Sequence, residues 1–86
     1  MQKSIRKETV SLDSLTALAN AIIVQAAKDY RRALRKQKKD PGSVSAKIPI
    51  EEAEQFFRSD WYRLLTTVDG ETLIKQLKEE VIDDDA

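Results

Sequence analysis

The chain has no cysteine and no histidine among its 86 residues. The first absence excludes disulfide staples, thiolate nucleophiles and thiolate metal sites. The second removes the usual general base, the commonest metal ligand and the side chain that titrates near neutrality. Glycine and proline occur twice each, and Gly42 and Gly70 stand alone in turn-like contexts, so no glycine-rich phosphate loop exists. Long apolar runs are missing as well. The longest, Ala17 to Ala27, is interrupted by Asn20 and Gln25, and a membrane span needs about 20 residues. The charged start, Met1 to Glu8, lacks the apolar centre of a signal peptide. A cytoplasmic protein with no membrane contact is the expectation.

Catalytic constellations are equally scarce. Glu51/Glu54 and Glu79/Asp83 sit at helical spacings, but no basic group converges on them. Asp83, Asp84 and Asp85 lack the ordering glycine and spaced bidentate glutamate of a calcium loop. No catalytic residue, metal site or cofactor is predicted, and the chain is not expected to be an enzyme.

What is present is charge, and it is segregated. The formal net charge is zero, yet Lys28 to Lys39 carries seven cations against Asp29 alone. From Asp69 onward seven anions face only Lys75 and Lys78. Such a dipolar chain either neutralises itself in cis or presents each pole to a different partner.

Periodicity predicts an all-α fold, a small helical bundle with a long first helix followed by two or three shorter ones. Residues 1–10 read as a loosely held arm, 11–82 as one helical domain and 83–86 as an acidic tail. The first helix begins near Ser11, Asp13 or Ser14, each a competent N-cap. Leu12, Leu15, Ala19, Ile22, Ala26, Tyr30 and Ala33 then recur every three or four residues. Leu18, Ile23, Ala27 and Leu34 widen that stripe, so the middle of the helix is apolar nearly all round. It suits the centre of a bundle or an oligomer interface. Asp40-Pro41-Gly42-Ser43 stops the helix, and Pro41 to Lys47 reads as loop. A second helix is predicted from Pro49, with Glu51, Glu52 and Glu54 at its positive end and Ile50, Ala53 and Phe57 inward. Ser59-Asp60 is a cap signal, which favours a break and a restart from Trp61 to Thr67 over a kinked continuation. Asp69 caps the last helix, whose stripe is Leu73, Ile74, Leu77 and Val81, with Val68 stapled onto Leu73.

Four of the five aromatics fall in Phe56-Phe57-Arg58-Ser59-Asp60-Trp61-Tyr62. Helical spacing puts Phe57, Trp61 and Leu64 on one face, predicting Phe57 and Trp61 as core anchors and leaving Phe56 or Tyr62 partly exposed. Exposed aromatics beside arginine have the composition of a protein-binding hot spot. Arg31, Arg35, Phe56, Arg58, Trp61 and Tyr62 are therefore the candidate partner-contact residues. The alternative surface is basic: Lys28, Arg31, Arg32, Arg35, Lys38 and Lys39 on one helix suit phosphates, either of a nucleic acid or of a small ligand.

The stretch from Ile22 to Arg35, the segment Glu54 to Thr66 around the aromatic block, and Val68-Asp69-Gly70-Glu71 resemble small proteins carried by phages, prophages and integrative elements of Gram-positive gut bacteria. The resemblance spans most of the chain after residue 12. It implies a mobile-element protein acting in the host cytoplasm. Small helical proteins of such origin often inhibit a host defence component by stoichiometric binding, as anti-CRISPR proteins do. Others act as accessory factors in replication or assembly. The leading expectation is therefore a non-enzymatic inhibitor that binds a host protein. A nucleic-acid-binding regulator and a homo-oligomeric structural factor are the alternatives.

Overall fold

A computed structural model of the protein describes residues 12–83. The N-terminal arm, a cap at Ser11 and the last residues of the acidic tail lie outside the described residues. The fold is an all-α bundle of four helices: α1 (Leu12–Lys39), α2 (Val44–Phe57), α3 (Asp60–Leu65) and α4 (Gly70–Asp83), with no strand among the described residues.

Helix α1 runs 28 residues without interruption, as its stripe predicts. Asp13 lies in its first turn and Lys36, Lys38 and Lys39 in its last, each complementing the backbone dipole at its own end. A tight turn follows, with the Ser43 amide donating to the Asp40 carbonyl at 3.0 Å. Helix α2 begins earlier than Pro49. Ser43 is the N-cap, and its hydroxyl accepts from the Ala46 amide at 3.2 Å. The start signal of Ser43 prevails over proline's preference for a first turn, so the connection shrinks to four residues and Pro49 sits inside the helix. Proline there has no amide to give the carbonyl four residues back. Glu51, Glu52 and Glu54 consequently lie beyond the first turn. The inward face is Ala46, Ile50 and Phe57, with Ala53 packed beside them.

Ser59 explains the break. Its hydroxyl donates to the Phe56 carbonyl at 2.6 Å, closing α2, and accepts from the Tyr62 amide at 3.1 Å, opening α3. One side chain satisfies backbone groups at both helix ends. Asp69 then caps α4, accepting from the amide and hydroxyl of Thr72 at 2.9 Å each. Val68, predicted to staple onto Leu73, is half exposed.

The break resets the register of the aromatic block. An unbroken helix would align Trp61 with Phe57, but the turn at Ser59 swings Trp61 to the surface, where it is 54% exposed. Tyr62 takes the inward position and is 1% exposed. The predicted anchor pair Phe57/Trp61 is thus corrected to Phe57/Tyr62. Together with Tyr30 of α1 and Leu77 of α4 they are the largest fully buried side chains. Phe57 meets Tyr30 and Tyr62 edge-on at centroid distances of 5.7 and 5.8 Å, and Phe56 meets Tyr62 at 5.7 Å. Each such pair is worth about 0.5–1.5 kcal/mol beyond the area it buries.

Gly70 is more than a turn residue. A Cβ there would lie 2.0 Å from the carbonyl oxygen of Phe57 and 3.0 Å from its carbon. Only a residue without a side chain lets α4 start this close to the end of α2. The Tyr62 ring packs at the same spot, its Cε2 3.6 Å from where that Cβ would stand.

The bundle covers only part of α1. Ala27, Tyr30, Ala33 and Leu34 are buried, whereas Leu15, Leu18 and Val24 are 49%, 59% and 50% exposed. The radius of gyration of 16.6 Å exceeds the roughly 12 Å expected of a globule of this length. Among the described residues, the N-terminal half of α1 projects past the bundle as a bare helix.

Candidate functional site

The six candidate partner-contact residues do not converge on one patch. Tyr62 is buried in the core and is withdrawn as a contact residue. Phe56 is partly buried, meeting Phe57 at a tilt and Tyr62 edge-on, and floors a groove between α1 and α2 with Ala26, Ala33 and Ala53. Arg58 is exposed, but its guanidinium is occupied: Nε and Nη2 donate to the two carboxylate oxygens of Glu71, and Nη1 reaches Glu54 Oε1 at 3.4 Å. Bidentate pairing of this kind fixes geometry across two elements, so Arg58 clamps α2 to α4.

Glu54 is the hub of that clamp. Its carboxylate accepts from the Tyr30 hydroxyl at 2.6 Å and lies 3.6 Å from the Lys78 ammonium. Three helices therefore meet at one carboxylate. Burial, followed by the hydrogen bond to Glu54, pushes the Tyr30 phenol far above its ordinary range. The Glu71 carboxyl is held below its usual range, chiefly by the Arg58 hydrogen bond. Asp69 is likewise held low, by the Thr72 amide first and its hydroxyl second.

Tyr62 differs. Its hydroxyl is buried without a hydrogen-bond partner among the described residues. Burial raises its phenol, and the neighbouring Asp69 charge adds to that.

Lys28, Arg31, Arg32 and Arg35 line one basic ridge on the outer side of α1. Parts of it are neutralised within the chain. Arg31 Nε donates to Glu80 Oε1 at 2.8 Å, and Arg32 pairs with Asp29 at 3.3 Å. Lys38 Nζ donates to the carbonyls of Val81 and Ile82 at 2.8 and 3.1 Å, serving the C-terminal end of α4 where such acceptors lack helical partners. Among the described residues, the acidic last helix meets the basic half of α1 through the Arg31–Glu80 pair and through Lys38 on the carbonyls of Val81 and Ile82. Arg35 and Lys39 are exposed.

The resulting surface has three characters: the basic ridge, the bare N-terminal half of α1, and the outward face of α3. On α3 Trp61 stands beside Leu64, which is 80% exposed, with Arg63 paired to Asp60. Leu64 was not among the predicted contact residues. The signal that finds it is the Ser59 cap, because restarting the helix there turns Tyr62 inward and Trp61 and Leu64 outward together.

Among the described residues, no group of three or more acidic side chains is gathered to hold a metal ion, and no helix is long and apolar enough to cross a membrane. Compared with protein-family models, curated proteins and solved structures, the chain matches none.

Proposed function

We propose that the protein acts by stoichiometric binding, without chemistry of its own, and that Trp61 and Leu64 anchor its contact with a host protein. The reading that follows from the sequence resemblance is an inhibitor of a bacterial defence component, of the anti-CRISPR kind, working in the host cytoplasm. The observation that carries the binding role is the exposure of Trp61. A small bundle short of core keeps its one tryptophan half in water, beside an even more exposed leucine. Tryptophan is the side chain most enriched at interface hot spots, because it buries a large rigid surface at little entropic loss.

The test is capture of the target from a Gram-positive host lysate, followed by titration against the purified target. Trp61→Ala should retain the helical spectrum and weaken binding by about thirty-fold, the equivalent of about 2 kcal/mol. Equal affinity of the native and Trp61→Ala, Leu64→Ala chains would refute this anchor.

A second reading is favoured by the ridge of Lys28, Arg31, Arg32 and Arg35, continued by Lys38 and Lys39: recognition of phosphates on a nucleic acid or a small phosphorylated ligand. Nucleic-acid binding of this kind weakens steeply with salt, because counterions are released from the backbone. Absence of a mobility shift with single- and double-stranded probes at low salt removes the nucleic-acid form of this reading.

A further inference from the structure

The N-terminal half of α1 leaves Leu15, Leu18 and Val24 about half exposed. Helical segments of fewer than about 12–15 residues are marginal in water, and most helices in proteins are stabilised by packing one face. Leu15, Ala19, Ile22 and Ala26 continue, at helical spacing, the same face that Tyr30 and Ala33 bury in the core. Past Ile23 and Ala26, which still pack against the core cluster, the stripe runs on with no bundle over it. From Ser14 to Ala27 there is no charged residue.

That composition narrows what covers it. A nucleic acid or an acidic protein needs cations, and the stretch from Ser14 to Ala27 has none. A helix lying on a lipid surface carries lysine or arginine on its polar face, and this segment carries none. Residues 1–11 supply only Met1, Ile5 and Val10 as apolar side chains, among Lys3, Arg6, Lys7 and Glu8.

A second copy fits on two grounds. The first is size. When two such stripes run antiparallel about a two-fold axis near Asn20 and Ala21, Leu15 comes level with Ala26 of the other copy, and Ile22 with Ala19. Large side chains then face small ones, the alternation that lets helix layers interdigitate, and the contact is self-complementary, as a two-fold interface requires. The second is charge. Parallel pairing would stack Lys28, Arg31, Arg32 and Arg35 against themselves. Antiparallel pairing sends the two basic stretches to opposite ends.

We propose that a second copy of this chain covers the N-terminal half of α1, with the two helices antiparallel, Leu15 and Ile22 of each set against Ala26 and Ala19 of the other, and the exposed Leu18 on the flank of the stripe closing the edge of the contact. The pairing uses a face separate from Trp61 and Leu64, so it stands or falls independently of the binding reading above. It gives the assembly two copies of every other surface, with the bundles at opposite ends.

Sedimentation of the full chain at micromolar concentration should give twice the monomer mass, and Leu18→Glu should halve it while keeping the helical spectrum. The absence of native cysteine makes the register directly readable. Under mild oxidation, a mixture of Leu15→Cys and Ala26→Cys chains should crosslink to each other several-fold faster than either alone. A native chain that stays monomeric overturns the proposal, and co-flotation of that monomer with lipid vesicles reassigns the face to a membrane. A dimer that survives Leu18→Glu, or cysteine variants that couple fastest with themselves, overturns it too.

Discussion

The two halves of α1 carry the same apolar stripe and opposite fates. Tyr30 is fully buried, whereas Leu18, on the widened side of that stripe, is 59% exposed. The difference lies in what returns along the helix. At about 1.5 Å per residue, α1 is roughly 42 Å long, while α2 and α4 reach back only about 21 Å each. They cover the C-terminal half and stop. Periodicity in a helix therefore records that a face is to be covered, and says nothing of whether its own chain covers it.

The sharpest way to break the packed half is at its tightest backbone approach. Gly70→Ala places a carbon where the Phe57 carbonyl already stands, and neither backbone yields cheaply. The expected loss is about 3 kcal/mol of unfolding free energy, at the upper end of overpacking effects, measured by urea denaturation.

The two buried tyrosines sharpen the contrast within that half. Tyr30→Phe strips Glu54 of a 2.6 Å donor, and a hydrogen bond to a charged group contributes about 1.5–3 kcal/mol. Tyr62→Phe removes a hydroxyl that has no hydrogen-bond partner among the described residues. It should be neutral or stabilising by up to about 1 kcal/mol, since a buried orphan polar group costs free energy. A larger loss at Tyr62 than at Tyr30 would invert this account of the core.

Alkaline pH probes the same pair together. Both phenols are raised in the fold, from an ordinary value of 10.0. Above that value the unfolded chain sheds protons that the folded chain keeps, so linkage makes stability fall as pH rises. The stabilisation is complete below pH 10 and declines beyond it. A denaturation midpoint that stays flat up to pH 11, about one unit above the ordinary phenol value, would contradict burial of the hydroxyls.

The smallest effect belongs to the bare half. Leu18→Glu should change the stability of the dilute monomer by no more than about 0.5 kcal/mol, because the side chain is exposed there. Its consequence should appear only where copies meet.

Much of this architecture was legible in the residues. The long helix, the stop at Asp40 to Ser43, the break at Ser59 and the cap at Asp69 all rest on local backbone chemistry, which a single sequence carries. The misreadings arose where one local event had consequences further along. The break at Ser59 is legible in its capping chemistry, yet helical spacing alone keeps Trp61 in register with Phe57 as though the helix continued. Proline's preference puts Pro49 in a first turn that Ser43 claims instead. Of the candidate contacts, Tyr62 went to the core, and Arg58 was absorbed by Glu54 and Glu71. The pairings Tyr30–Glu54 and Arg58–Glu71 join residues 24 and 13 positions apart, a relation that no spacing rule within a helix conveys.

The half-exposed indole has a practical side. Because Trp61 is already half in water in the native fold, melting the bundle uncovers only the other half, and circular dichroism follows denaturation more directly than its emission does. A partner closing over α3 would move that indole out of water and shift its emission to shorter wavelength. Docking and melting thus move the same emission in opposite directions, which makes one indole a reporter that tells the two events apart.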